Sequence, residues 1–212
     1  MQMRKKERAL EAVKRLEELY PEAICSLNYT DAFQLLVATR LSAQCTDKRV
    51  NMVTPALFKE FPTAKEMATA DIGRVEELIK TCGLYKTKAK DIVAIAAKIV
   101  SDFDGRVPDN MDDLLTLSGV GRKTANLVLG DVYKKSAVVT DTHFIRICNR
   151  LGFVSTKNPL SVERQMIKLL PPEASNDFCH RTVLFGRDIC TARKAFCDNC
   201  PLNDICPKVN IK

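Results

Sequence analysis

The sequence lacks any apolar run that approaches the roughly 20 residues a membrane-spanning helix requires. Its basic N-terminus, MQMRKKERAL, is followed by no apolar stretch of the signal-peptide type. It also has no fixed-period repeat and no low-complexity linker. We therefore expect a soluble, cytoplasmic protein without a membrane partner. The 212 residues, 46% of them apolar, suffice for one large domain or two small ones that pack tightly.

Strand-forming patterns are almost absent as well. Only Ala137–Val139 looks strand-like, and this segment is too short to build a sheet. Elsewhere apolar residues recur at helical spacing, and Phe33–Leu41 is apolar enough to predict a buried central helix. Helix starts are predicted at the following residues or pairs of candidates: Asp31, Thr46 or Asp47, Thr63, Asp71, Thr87, Asp109 or Asn110, and Asn158. The pattern predicts an all-α fold.

The nine cysteines lack the even count and regular spacing of a secreted disulfide framework, which indicates a reducing compartment. Four of them crowd into the C-terminal tail as Cys190-x6-Cys197-x2-Cys200-x5-Cys206. Four thiols so close in sequence are able to surround one metal centre. A four-cysteine zinc site usually consists of two Cys-x-x-Cys pairs, and only one is present here. A [4Fe-4S] cluster fits the spacing better, but spacing alone leaves both metals open.

The loop between the first two tail cysteines carries Arg193 and Lys194. A metal centre would hold these two charges on a rigid loop, which suits contact with a phosphate backbone. The formal net charge of +7, from 33 Lys+Arg against 26 Asp+Glu, is compatible with a polyanionic partner without proving one.

The segment LSGVGRKTANLVLG, residues 117–130, places Gly119 and Gly121 between two helical patterns. A helix, a Gly-x-Gly turn and a second helix form a helix-hairpin-helix, whose exposed amides and helix dipole bind a phosphate. A P-loop is excluded because Arg122 separates the last glycine from the lysine. A dinucleotide-binding turn is excluded because Thr124 stands at the third glycine position and no strand precedes the turn. An ordinary helical hairpin remains the alternative.

Lys123 follows this turn at the start of a helix, where the dipole disfavours its charge. The dipole lowers a lysine pKa by well under one unit, so burial has to supply most of any activation. We expect Lys123 to lie in a partly desolvated cleft facing a carboxylate, as an amine nucleophile that forms a Schiff base. Asp141 is the best candidate for that carboxylate. Its alternative role is to cap the helix that begins near Thr142.

Several motifs together resemble the endonuclease III family of DNA glycosylases with lyase activity. They are LSGVGRKTANLVLG, TDTHFIRICNR at 140–150, LSAQCTD at 41–47, KTCGLYKTKA at 80–89 and the cysteine tail, and they follow the family's order across nearly the whole chain. One departure is visible. The family's turn usually reads Leu-Pro-Gly-Val-Gly, and Ser118 stands here in place of the proline.

The resemblance implies two all-α domains with DNA bound in a cleft between them. Residues 24–133 would form a six-helix barrel with the helix-hairpin-helix at about 109–132. Residues 1–23 and 134–212 would form a discontinuous domain with a [4Fe-4S] cluster in the loop 190–206. The implied cluster ligands are Cys190, Cys197, Cys200 and Cys206. The implied catalytic residues are Lys123 and Asp141, and the expected DNA contacts are Gln44, Leu84, Gly119, Gly121, Arg122, His143, Arg193 and Lys194. His143 alternatively supports only the fold.

The function implied is base-excision repair by a bifunctional enzyme. It would remove oxidised pyrimidines from duplex DNA and cut abasic sites by β-elimination through a lysine Schiff base. We expect it to act as a monomer that associates with the nucleoid through DNA. Two alternatives remain at this stage: a monofunctional mismatch glycosylase, and a non-catalytic iron–sulfur protein that binds DNA. Lys123 argues against the first, because another residue occupies its position in those relatives.

Overall fold

The computed structural model describes residues 3–211, and the chain divides into two compact units. The hairpin unit is Cys25–Tyr133, and the cysteine unit joins Met1–Ile24 to Lys134–Lys212. Within residues 3–211 the secondary structure is helical without a β-strand, so the all-α prediction is confirmed. Ala137–Val139 is buried, non-helical chain. No helix in this part of the chain combines the length and the apolar character needed to cross a bilayer.

The hairpin unit is built around two helices that run through its core. Its helices are α2 (Ala32–Ser42), α3 (Asp47–Glu60), α4 (Ala64–Ala68), α5 (Ile72–Ile79), α6 (Tyr85–Asp102), α7 (Met111–Leu114) and α8 (Arg122–Asp131). Helix α2 packs against α3, α6 and α8, and it is buried over almost its whole length, as predicted for residues 33–41. Helix α6 packs against α2, α4 and α5. The glycine turn therefore leads into a helix, α8, that packs directly against the buried helix α2.

The cysteine unit is built from both ends of the chain. Its helices are α1 (Lys5–Leu19), α9 (Thr142–Arg150), α10 (Pro159–Met166) and α11 (Ser175–Asp188). Helix α11 packs against both α1 and α9, and the rings of Phe144 and Phe178 meet edge to face at 6.1 Å in its core. Arg15 of α1 reaches the C-terminal tail, where its Nη1 donates to the carbonyl of Pro201 at 2.8 Å and to Asp204 at 2.5 Å.

Helix starts follow the predicted caps with one exception. Asp31 accepts from the Gln34 amide at 2.9 Å, and Thr63 closes a capping box with Glu66. The predicted start at Thr87 is wrong, because α6 already begins at Tyr85. The residue before it, Leu84, has φ +59° and no side chain that is able to cap a helix, so local sequence carries no signal for this start.

Candidate functional site

The glycine turn connects α7 to α8 within the hairpin unit. Gly119 has φ +67°, in the left-handed region that favours glycine, and Gly121 is the residue before the first turn of α8. Gly121 brings no capping side chain, and a Cβ placed there would meet no atom within 4 Å. The first amides of α8 thus open onto space at the positive end of a helix dipole, which is a suitable arrangement for binding an anion. Arg122, the first residue of α8, is half-buried beside this opening.

Lys123 is exposed on the outer side of α8. The prediction that burial partly desolvates its ammonium is therefore wrong for the protein alone. The physical reason is its position in the helix: Ala125–Asp131 form the buried part of α8, whereas Lys123 belongs to the first turn beyond that packing. Its amine is therefore exposed to solvent. Burial raises the pKa of the Cys25 thiol to about 12, and the positive charge of Lys123 acts on this pKa in the opposite direction.

Asp141 belongs to the cysteine unit and caps α9. Its Oδ1 accepts a hydrogen bond from the Phe144 amide at 2.6 Å, and the residue is half-buried. The capping role considered from the sequence is thus present. This bond fixes the carboxylate at the start of α9 and occupies Oδ1.

Gln44 and Leu84 lie on neighbouring loops of the hairpin unit. Both are exposed and both have left-handed backbones, with φ +53° and +59°. A Cβ placed on Gly83 would stand 3.4 Å from the carbonyl oxygen of Gln44, so the two loops touch. Left-handed conformations are unfavourable for residues other than glycine and persist only where the surroundings impose them. Such strain is frequent at functional sites, and here it projects two large side chains into solvent.

Lys88 supports these loops and was not singled out from the sequence. Its side chain is fully buried, and its Nζ donates to the carbonyl of Leu41 in the last turn of α2 at 2.8 Å. Burial lowers the pKa of Lys88. It therefore ties α6, which follows Leu84, to the helix end that leads into Gln44. The available signal was its spacing, because Lys88 precedes Ile92 by one helical turn on the same buried stripe.

His143 packs against α11 within the cysteine unit. Its Nδ1 lies 3.2 Å from Arg146 Nη2, and a Cβ on Gly186 would stand only 2.9 Å from the same ring nitrogen. Burial lowers the pKa of His143, while the nearby charge of Asp141 acts in the opposite direction. These contacts give His143 a role in the fold, and its contact with DNA stays a prediction.

Cys190, Cys197, Cys200 and Cys206 line one cavity that is partly open to solvent. Its other walls include Ile147, Leu151, Phe185 and Leu202. Three of the sulfurs accept hydrogen bonds: Cys190 from Arg150 at 3.2 Å, Cys200 from the Leu202 amide at 3.4 Å and Cys206 from the Lys208 amide at 3.3 Å. Across residues 3–211, no three His, Cys, Asp or Glu side chains are grouped to hold a single metal ion. Apolar walls and N–H donors to sulfur are the surroundings that iron–sulfur clusters use.

Arg193 and Lys194 are exposed on the loop between the first two tail cysteines. The loop is closed by Thr191, whose Oγ1 accepts from the Lys194 amide at 3.1 Å and donates to the Lys194 carbonyl at 2.6 Å. Arg150 of α9 also donates to the carbonyls of Cys190 and Thr191 at 3.1 and 2.7 Å. This support was missed from the sequence. It means that protein contacts already shape the loop that presents the two charges.

Known proteins match this chain over most of its length. The family model "HhH-GPD superfamily base excision DNA repair protein" matches residues 37–172. The chain is 48% identical to endonuclease III of Synechocystis sp., covering 96% of this chain and 93% of that protein. It is 39% identical to endonuclease III of Escherichia coli K12, covering 95% of each chain. The fold matches the structure of a trapped endonuclease III–DNA covalent intermediate with a TM-score of 0.89 and 36% identity, covering 97% of both chains.

Proposed function

This chain belongs to the endonuclease III family of helix-hairpin-helix base-excision repair proteins, and we propose that it acts on oxidised pyrimidines in duplex DNA and on abasic sites. It is a DNA glycosylase with AP-lyase activity. We place it in the cytoplasm, associated with the nucleoid through DNA and acting as a monomer. The single observation that carries the assignment of its chemistry is an exposed Lys123 two residues after the last glycine of the turn, in a chain similar to an enzyme trapped covalently on DNA.

DNA binding uses residues of both units. The amides of the turn from Gly119 to Gly121 and the side chain of Arg122 hold one stretch of phosphates. Arg193 and Lys194 hold another, because they are exposed on a loop that Thr191 and Arg150 keep in shape.

The damaged nucleotide then leaves the stack, which costs a few kcal/mol and less for a damaged base. Gln44 and Leu84 enter the space it leaves. Their exposure and their left-handed backbones support this role, because both side chains project from a rigid core before DNA arrives.

Lys123 is the nucleophile. Its neutral amine attacks C1′ of the sugar and the base departs, while Asp141 takes up the proton or stabilises the developing cation. The resulting Schiff base with the opened sugar allows β-elimination, which cuts the strand on the 3′ side of the lesion. Lys123 is exposed in the protein alone, so the bound DNA has to supply the desolvation that favours the neutral amine.

The four tail cysteines would hold a [4Fe-4S] cluster. What supports this assignment is their common cavity, its apolar walls and the N–H groups that point at three of the sulfurs. When bound, the cluster would add to the contacts of Thr191 and Arg150 that hold the loop carrying Arg193 and Lys194. The two units would accordingly serve as a catalytic hairpin domain and a cluster domain.

Borohydride trapping tests this function. The enzyme is incubated with duplexes that contain an oxidised pyrimidine, an abasic site or a mismatched thymine, and a Schiff base is reduced to a stable protein–DNA adduct. We expect adducts with the first two duplexes, none with Lys123→Ala, and normal yields with Lys59→Ala, which removes another exposed lysine of the hairpin unit. Base release without an adduct would indicate a monofunctional glycosylase. Neither release nor adduct from any duplex would refute the enzymatic assignment.

A further inference from the structure

Beneath the glycine turn, an ion pair joins α2 to α6. Arg40 in the last turn of α2 donates to Asp91 Oδ2 from Nε, at 3.0 Å, and from Nη2. The two side chains are only 16% and 20% exposed, so solvent screens this pair less than a pair on an open surface. The other oxygen of Asp91, Oδ1, accepts a hydrogen bond from the hydroxyl of Ser118 at 3.3 Å. One carboxylate thus links the ion pair to the turn.

Arg40 also fills the space next to Gly119. A Cβ on Gly119 would stand 2.7 Å from Arg40 Nε and 3.2 Å from its Cδ, and the φ of Gly119 already favours glycine. Gly119 therefore contacts the side chain of Arg40, and the preceding residue, Ser118, is bonded to the carboxylate of Asp91. We name Arg40, Asp91 and Ser118 the turn anchor.

We propose that Asp91 is a positioning residue for DNA binding: oriented by Arg40, it holds Ser118 and the glycine turn in the geometry that binds a DNA phosphate. The inference rests on the phosphate-binding role proposed above for the turn. It gives Ser118 a function where the family usually has proline. A proline ring fixes φ near −65° by itself, whereas a serine is restrained only if its side chain is held. Here a carboxylate already locked in an ion pair holds it.

Charge balance fits this role. An unpaired carboxylate beside the turn would repel a phosphate, and Arg40 neutralises it through two N–H groups. None of the three side chains has to touch DNA. They affect binding because they set the direction of the amides at Gly119–Gly121, which lie at the start of the well-packed helix α8.

The test measures binding to a duplex with an uncleavable abasic analogue by fluorescence anisotropy at several salt concentrations. Each phosphate contact contributes about 0.9 to the slope of log affinity against log salt. We expect Ser118→Ala and Asp91→Ala each to weaken binding several-fold. Each should also reduce the slope by up to about 0.9, the contribution of one phosphate contact. The double variant should lose no more than Asp91→Ala alone, because Asp91→Ala already removes the hydrogen bond that Ser118→Ala removes. Ser118→Pro should recover the affinity and the slope that Ser118→Ala loses.

Ser101→Ala is the matched control. It removes a serine hydroxyl that also bonds to a carboxylate, Asp102, at 2.6 Å at the end of α6, away from the turn. Thermal melting of every variant shows whether the fold persists, and Ser118→Ala remains informative if Asp91→Ala unfolds, because Ser118 is exposed. A wild-type slope in Ser118→Ala, or additive losses in the double variant, would overturn the turn anchor while trapping on Lys123 still occurs. Absence of any Lys123 adduct would instead refute the function on which it rests.

Discussion

Asp141 caps a helix and is also the carboxylate that we propose for the chemistry, and substitutions at this residue separate the two roles. Its Oδ1 caps α9 through the Phe144 amide. Asparagine caps a helix as well as aspartate does, whereas alanine costs about 1 kcal/mol in the free energy of unfolding. We expect Asp141→Ala to lose both stability and base release. Asp141→Asn should keep its stability and still release base roughly 10²–10⁴-fold more slowly, because it lacks the charge.

Urea unfolding and single-turnover base release measure the two effects of these Asp141 variants independently. The control is the cap of a distant helix, where Asn158 accepts from the Ser161 amide at 2.9 Å. Asn158→Ala should lower stability by a similar amount and leave single-turnover rates unchanged. Full activity in Asp141→Asn would leave the residue with the capping role alone.

At the scale of helices, most starts were predictable and the left-handed residues were not. Caps such as Asp31 and Thr63 act on amides two or three residues away, so the local sequence contains the whole interaction. The conformation of Leu84 depends on packing between two loops distant in sequence, which no local pattern records. Similarly, the sequence identified Lys123 by its neighbours, but its exposure depends on how α8 packs.

Helix α6 holds the strained loops in place through Lys88, and this leads to a prediction about base flipping. Lys88→Met keeps the side-chain length but removes the bond to the Leu41 carbonyl, so the loops of Gln44 and Leu84 lose a shared support. We expect base release from a paired lesion to slow roughly ten- to a hundredfold. Strand cutting at a preformed abasic site should slow less, because no base has to leave the stack there.

Lys90→Met, an exposed change on the same helix, serves as the control for Lys88→Met. Both reactions are followed under single-turnover conditions after melting curves show that the variants are folded. Equal slowing of both reactions would mean that Lys88 supports the hairpin unit in general rather than the two loops.

At the scale of the whole molecule, the cysteine unit depends on contacts between the two ends of the chain. Arg15 of α1 donates to Pro201 and Asp204 in the tail, Tyr20 bonds to Asp188 at 3.1 Å, and Arg181 pairs with Glu17 at 3.2 Å. The tail that the Arg15 contacts hold also contains the four cavity cysteines. The order of the tail and the docking of α1 are therefore linked, whereas the hairpin unit has a core of its own.

Loss of the proposed cluster should consequently loosen one unit and spare the other. We expect Cys197→Ser to increase hydrogen exchange in residues 190–206 and in α1, because the tail residues that bind Arg15 lose their order. Peptides from Cys25–Tyr133 should exchange as in the wild type. Mass spectrometry of the exchanged peptides resolves the two units, and iron analysis shows whether the cluster is absent. Cys25→Ser, a cysteine outside the cavity, should retain iron and the wild-type exchange of α1. Unchanged exchange of α1 in an iron-free Cys197→Ser protein would show that the contacts of Arg15 hold the tail without the cluster.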